Sequence, residues 1–229
     1  MEEVPRERMA GTSSPPEGTG TSAFPRLRYA GLWVFGITLG FFEAAIVVYL
    51  RRIICPEGFS FPLSDMDPQL LAVELGREAA SLLMLGGVAL AAARRRREVL
   101  PIFFLAFGIW DIFYYVFLRV ALGWPGGPGT WDVLFLIPGP WSSPVWAPVL
   151  VALLFVAVPS WLLLRRRESR YRPSDRWSML AGGLLCLASF LYNAGGLMEG
   201  GVPGSFPLWL YLPGLVLMGW GSIRGALGT

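Results

Sequence analysis

Long apolar blocks constrain this chain more than any other feature. A helix of about 20 residues spans the hydrocarbon core of a bilayer, and the sequence holds six apolar blocks of roughly that length with short connections between them. The blocks cover residues 30–50, 69–93, 99–122, 145–164, 177–198 and 206–224. Because they leave no room for a separate soluble domain, they predict an all-α fold: a polytopic integral membrane bundle of about six transmembrane helices.

Composition divides the chain into two regions. Hydrophobic residues make up 54% of the sequence and charged residues 15%, which is typical of a membrane protein. Residues 1–28 differ, because they begin with a stretch rich in Pro, Gly, Ser, Thr and charge that cannot bury enough apolar surface to fold. We therefore expect a disordered cytoplasmic tail over 1–28 and a six-helix transmembrane domain over 29–229. The first apolar block is too long for a signal peptide and contains Glu43, so we expect a retained helix.

Arginine placement predicts the orientation. All 19 basic residues are arginine, and they concentrate in the tail, in the connections at 94–97 and 165–176, and near the C-terminus. The connections at 123–144 and 199–205 have none. By the positive-inside rule, both termini are predicted to be cytoplasmic in a bacterial inner membrane. The basic runs are interpreted as topology signals and contacts with anionic lipid, so no nucleic-acid partner is predicted.

Two residue types exclude several chemistries. The chain has no histidine, which argues against a His-ligated haem, a His-based triad or the usual zinc and iron centres. Of the two cysteines, Cys55 lies in a connection and Cys186 inside the fifth block, at depths that do not suit a disulfide. We therefore predict no cofactor and no metal.

Ionisable residues inside the apolar blocks indicate a site. Glu74, Arg77 and Glu78 fall on one helical face, and Asp111 shares a face with Arg119 on another helix. At about 1.5 Å per residue, these groups lie at matching depths between the midplane and the outer boundary. A charge at the centre of a span costs roughly 3 kcal/mol, so these faces should converge inside the bundle. The candidate ligand-binding or proton-handling residues are Glu43, Glu74, Arg77, Glu78, Asp111, Tyr115 and Arg119.

Spacing predicts how the charges pair. Asp111 and Arg119 are about 12 Å apart along their helix, so Asp111 needs a partner elsewhere, and Arg77 is the predicted one. Arg51 and Arg52 break the positive-inside pattern, and we expect them to fold inward and offset the acidic excess. The predicted mouth of the site consists of Arg51, Arg52, Trp131 and Asp132. A purely structural role for these charges, as contacts between helices, is the alternative.

Three further features concern the helices and their connections. Residues 131–137 are apolar but too short to span, so they should lie on the outer surface or dip slightly into it. They would form either a lid or an interfacial anchor. Gly36 and Gly40 have the spacing that lets helices approach closely, while Pro159 and Pro213 predict kinks.

Four stretches resemble a known group. The segments EAAIVVYLRR, ELGRE, WDIFYYVFLR and TWDVLFLIPGPW resemble bacterial multi-pass membrane proteins of uncharacterised function. The resemblance covers about residues 30–155. It implies a membrane protein and implies no activity, cofactor or catalytic residue.

Three functions fit these observations, and whether the chain is an enzyme stays open. In the first, the charged pocket binds or processes an amphipathic or lipid-linked ligand, with arginines holding an anionic head group and a protonated carboxyl acting as acid or base. In the second, the chain is an accessory or assembly subunit of a larger membrane complex. In the third, it is a proton- or cation-coupled transporter acting as a homo-oligomer. The lipid bilayer is a predicted partner in all three.

Overall fold

The computed structural model describes residues 24–54, 61, 67–165 and 171–227. Long helices dominate these ranges, and one short β-hairpin interrupts them. The elements, in chain order, are α1 (Arg26–Ile54), α2 (Pro68–Ala92), α3 (Val99–Leu122), β1 (Trp131–Phe135), β2 (Trp141–Pro144), α4 (Trp146–Leu164), α5 (Pro173–Leu191), α6 (Ala194–Met198) and α7 (Leu208–Leu227). The predicted all-α polytopic bundle is confirmed.

Five of the described helices, α1 to α5, are long and apolar enough to cross a membrane. The sixth predicted block forms α7, a helix of 20 residues. It is not among the five, and its last turn carries Arg224. Membrane crossing by α7 therefore stays a prediction.

Several boundaries differ from the predicted ones. Helix α1 begins at Arg26, inside the predicted tail, because Phe24 is buried against the core that Leu32 and Ile102 share. The fifth block divides into α5 and α6, and the glycines that open α6 are weak helix formers. The predictions for residues 1–23 and Cys55 lie outside the described residues. Pro159 and Pro213 lie within helices that continue past them, and their kinks stay predictions.

Glycines set the closest helix contacts. Helix α3 packs against α1, α2 and α4, while α5 packs mainly on α7. A Cβ added at Gly36 would lie 2.7 Å from Ile109 Cγ2, and one at Gly40 would lie 3.0 Å from Phe113 Cβ. The close approach predicted for these two glycines is confirmed, with α3 as the neighbour. By contrast, the backbones of α1 and α2 have few close approaches, although side chains join the two helices.

The connection between α3 and α4 forms an antiparallel hairpin of β1 and β2, in which Asp132 lies opposite Ser143. Of residues 131–137, Asp132 is almost completely buried and Ile137 is 39% exposed, and the position of the segment at the outer membrane surface stays a prediction. The ring of Phe135 packs on Trp110 of α3, with centroids 6.0 Å apart. Trp110 lies about 18 Å from the C-terminal end of α3, so the hairpin inserts between the helices with its turn toward their middle.

Candidate functional site

The first part of the site is a salt-bridged group between α1 and α2. Arg77 donates from Nε to Glu74 Oε2 at 2.9 Å and from Nη2 to Glu74 Oε1 at 2.5 Å. The same guanidinium pairs with Glu43 of α1 through Nη1. Both carboxylates are buried, and 19% of the Arg77 side chain is exposed. We call Glu43, Glu74, Arg77 and Ser81 the inner polar group.

Helix periodicity explains how α2 presents this group. The buried face of α2 is polar in its first half, with Glu74, Glu78 and Ser81, and apolar in its second half, with Leu85 and Ala89. These positions recur at helical spacing. Ser81 Oγ donates to Glu43 Oε1 and also to the backbone oxygen of Arg77 at 3.1 Å. The helix face that carries Glu74 and Glu78, which the residue spacing predicts as the site face, is therefore the buried face of α2.

Arg77 has a different partner from the predicted one. Its guanidinium is directed to Glu43 and Glu74, and within the described ranges it makes no ion pair with Asp111. The prediction used depth alone, and depth does not fix the direction in which a helix presents a side chain. Glu43 lies at a similar depth on the helix that faces Arg77, so it takes the position assigned to Asp111.

Glu78 binds the hairpin. Its two carboxylate oxygens accept the backbone N–H of Leu136 at 2.9 and 3.0 Å. Leu136 follows β1 directly, at the turn of the hairpin. A carboxylate from the middle of α2 thus accepts a backbone N–H of the hairpin. At this level along the helices an unpaired backbone donor is costly.

The second part of the site lies at the base of the hairpin. Asp132 accepts from Arg51 Nη2 at 3.3 Å and from the Tyr115 hydroxyl at 3.2 Å. The Arg51 guanidinium also stacks on the Trp124 ring, 3.7 Å from its centroid. We call Arg51, Tyr115 and Asp132 the outer polar group. Burial raises the pKa of Asp132 to about 6, against the opposing effects of Arg51 and the Tyr115 hydroxyl.

Asp111 and Tyr114 belong to the same polar region. Tyr114 interacts electrostatically with Arg51 and Asp132 of the outer polar group and with Arg77 of the inner polar group. Asp111 also interacts electrostatically with Asp132. Its Oδ2 atom is enclosed and has no hydrogen-bond partner among the described residues. We call the two groups together with Glu78, Asp111 and Tyr114 the acidic site.

Three predicted site residues are elsewhere. Arg119 is exposed and turns back to the end of its own helix, where it donates to the backbone oxygens of Gly123 and, at 2.7 Å, Pro125. Arg52 is exposed, so the predicted inward fold holds for Arg51 and not for its neighbour. Trp131 is partly buried and packs edge-on against Phe206, which precedes α7. Carbonyl groups at a helix C-terminus attract a nearby cation, which explains the position of Arg119.

Sequence reasoning missed two contacts of the site. The Leu136 amide has no side-chain signature, so no residue pattern marks it as the partner of Glu78. Trp124 stacks on Arg51, and this contact is also not predicted from the sequence. The sequence offers one signal for that contact: Arg51 breaks the positive-inside rule, and the connection at 123–144 is rich in aromatic residues that can stack on a guanidinium group.

Acidic groups outnumber basic ones in this region. Among the described residues, the site contains the carboxyl groups of Glu43, Glu74, Glu78, Asp111 and Asp132 and the guanidinium groups of Arg51 and Arg77. In a poorly solvated place such an excess is relieved by proton uptake, by proton sharing or by a bound cation. Within the described ranges, no three His, Cys, Asp or Glu side chains are grouped to hold a metal ion.

The fold and the site together define a polytopic helical membrane protein with a buried, mainly acidic polar site beneath a β-hairpin. Comparison of the chain with protein-family models, with curated proteins and with solved structures finds no match. The function must therefore be argued from the site itself.

Proposed function

We propose that the acidic site binds or processes an amphipathic or lipid-linked ligand, in the outer half of a bacterial inner membrane with both termini cytoplasmic. One observation carries the proposal: carboxyl groups are in excess in a buried site whose guanidinium groups already have carboxylate partners. Helix contacts alone do not require this excess, and ionisable residues at membrane depth are functional candidates by default.

The pairing favours a different head group from the one expected from the sequence. An anionic head group would have to displace Glu43 and Glu74 from Arg77, or Asp132 from Arg51. A cationic head group would instead add the missing positive charge. Asp111, whose Oδ2 atom is enclosed and has no hydrogen-bond partner in the described part of the chain, is the carboxyl we assign to that contact. The apolar tail of the ligand would lie along the lipid-facing surface of the helices.

The alternatives have unequal support. An accessory subunit would use its intramembrane charges across an interface, whereas the described arginines of the site pair within one chain. A proton-coupled transporter gains some support from Asp111, since an enclosed carboxyl without a partner suits proton uptake. We keep the transporter as the second candidate.

Matched amphiphiles test the charge of the head group. Thermal unfolding of the purified protein in lipid nanodiscs would be followed with dodecylamine, dodecyl phosphate and dodecanol, which share one tail. We expect dodecylamine alone to stabilise the protein, by about 2.7 kcal/mol at a hundredfold excess over its dissociation constant. Asp111→Asn should lose this stabilisation, and Glu199→Gln, an exposed control, should keep it. Equal effects of the three amphiphiles, or an unchanged response in Asp111→Asn, would contradict the proposal.

The proposed topology has a separate test. Single cysteines at Ser13, Gly127 and Ser169, in a Cys55→Ser background, would be treated with a membrane-impermeant maleimide on intact cells. We expect labelling at position 127 only. Labelling at 13 or 169 from outside would reverse the orientation and place the acidic site in the inner half of the bilayer.

A further inference from the structure

The hairpin is held in place by ionisable side chains at both ends. At its turn, the Leu136 amide donates to Glu78 of α2. At its base, Asp132 accepts from Arg51 of α1 and from Tyr115 of α3. Each of these contacts joins the hairpin to a helix that contributes to the acidic site.

The seated hairpin leaves polar atoms unsatisfied. Among the described residues, most of the enclosed side-chain atoms without a hydrogen-bond partner lie on the hairpin or on the part of α3 beneath it. They are Trp110 Nε1, Asp111 Oδ2, Trp141 Nε1 and Ser142 Oγ. Trp110 and Ser142 are also more than nine-tenths buried as residues. Because each such atom is penalised in a dry environment, the seated position is less favourable than its apolar contacts suggest.

The hairpin has little stability of its own. Two strands without further pairing are marginal, so its position depends on the surfaces that it touches. Its base is tied to the start of α4, where the Val145 amide donates to Thr130 O at 2.9 Å. Within the described ranges, its turn has no backbone hydrogen bond to the backbone of a helix and is held by Glu78 and by aromatic packing. The turn is therefore the end that can leave first.

We propose that the hairpin is a movable cover of the acidic site, fixed at its base and latched at its turn by Glu78. Movement of the turn would expose Asp111 and Trp110 to a ligand and would allow their unpartnered atoms to be hydrated. The inference rests on the proposed function for what is covered, because the cover controls access to the same site. Glu78 is then a positioning residue that acts through the hairpin.

Thiol labelling tests the movement without any ligand. In a Cys55→Ser background, Ser142→Cys places a reporter on β2 at a residue that is completely buried and whose hydroxyl has no hydrogen-bond partner to lose. Buried thiols react only when the structure opens. The native Cys186, buried between α5 and α7, is the internal reference for the rest of the fold. Both would be followed with N-ethylmaleimide by mass spectrometry.

Glu78→Gln removes the charge of the latch, and we expect it to speed labelling at position 142 by about tenfold while Cys186 is unchanged. Glu74→Gln is the matched control, because Glu74 lies one turn away on α2 and binds Arg77 instead of the hairpin. The cover is refuted if position 142 reacts equally in the parent and in Glu78→Gln, if Glu74→Gln has the same effect, or if Cys186 accelerates in parallel. Hydrogen exchange of residues 131–144, in protein without the reporter cysteine, should show the same order of variants.

The two proposals fail in different ways. Dodecylamine binding that depends on Asp111, with a hairpin insensitive to Glu78, would preserve the ligand site and refute the cover. A hairpin that responds to Glu78, with no preference among the three amphiphiles, would preserve the cover and refute the cationic ligand.

Discussion

Both carboxylate oxygens of Glu78 accept the same backbone N–H, that of Leu136, at 2.9 and 3.0 Å. Glu78 lies about 15 Å from the start of α2, so this contact fixes the turn of the hairpin near the middle of the helix. Irregular backbone is tolerated at such depth only where protein groups satisfy it. Glu78, which the sequence suggests as a ligand contact, is therefore a structural support for the hairpin.

Removing this carboxylate should destabilise the protein. Glu78→Ala leaves the part-buried Leu136 amide without its charged acceptor, and we expect the free energy of unfolding to fall by about 1.5–3 kcal/mol. Unfolding by sodium dodecyl sulfate in mixed micelles would measure the change. Glu199→Ala, at an exposed position, should stay within about 0.5 kcal/mol of the parent. Equal effects of the two substitutions would show that the contact contributes nothing.

Arg77 should be coupled to Glu43 and not to Asp111. Arg77→Met leaves the buried carboxylates of Glu43 and Glu74 without their cation, and we expect a loss of about 3–5 kcal/mol. A double-mutant cycle with Glu43→Gln should show clear coupling, since the two groups form one ion pair. The same cycle with Asp111→Asn should be close to additive. If Arg77 were coupled more strongly to Asp111 than to Glu43, the pairing predicted from depth would be correct and the Arg77–Glu43 ion pair would be refuted.

The stability of the hairpin should depend on Asp132 and pH. The pKa of Asp132 is raised from 3.8 to about 6, mainly by burial. The Asp132 carboxyl therefore binds a proton more tightly when the hairpin is seated than when the chain is unfolded and the carboxyl is in water. This contribution is complete below pH 3.8 and is lost as the pH rises through 6. Its size is on the order of 2–3 kcal/mol.

Unfolding free energies measured between pH 4 and 7.5 would test this sign. Asp132→Asn cannot titrate, so the parent should lose stability relative to Asp132→Asn as the pH rises through 6. The other carboxyl groups titrate in both proteins, so their contribution cancels when the unfolding free energy of Asp132→Asn is subtracted from that of the parent at each pH. A constant difference across this range, or one of the opposite sign, would show that Asp132 is not the group responsible.

Two adjacent glycines on α5 should respond in opposite directions to alanine. A Cβ at Gly182 would lie 2.5 Å from the backbone oxygen of Gly214 on α7, whereas one at Gly183 would meet nothing within 4 Å. We expect Gly182→Ala to cost about 1–3 kcal/mol through overpacking. Gly183→Ala should be neutral or stabilise by up to about 1 kcal/mol, because alanine favours helix. Melting temperatures of the two variants would check the difference, and equal values would contradict the close contact.

The sequence predicted the helices better than the geometry of the site. Apolar blocks located the long helices because burial in lipid requires continuous apolar sequence, and the spacing of Gly36 and Gly40 indicated a close contact. The residue positions along the helices predict a similar depth for Glu43 and Arg77, and these two side chains form an ion pair. The rotation of each helix about its axis is not predictable from the sequence. For this reason the predicted pairing of Asp111 with Arg77 is wrong.

The hairpin left almost no signal in the sequence. Its second strand contains Ser142, Ser143 and Pro144, none of which favours a strand, and its first strand, WDVLF, is apolar apart from Asp132 and does not alternate. The strands form because the inserted backbone has to pair with itself, and that requirement appears only once the surrounding helices are in place. The burial of Asp132 depends on the same requirement, together with the reach of Arg51 from the end of α1.

The contact between Gly182 and Gly214 also bears on biosynthesis. Helix α7 is not among the five helices that suit a membrane crossing, and its last turn carries Arg224, so packing on another helix should help to hold it in a bilayer. Its glycines allow its backbone to lie directly against α5, and this close packing is the contact that would do so. If α7 crosses the membrane as predicted, its insertion should follow that of α5, and a substitution in α5 that blocks this contact should impair insertion of the C-terminal segment.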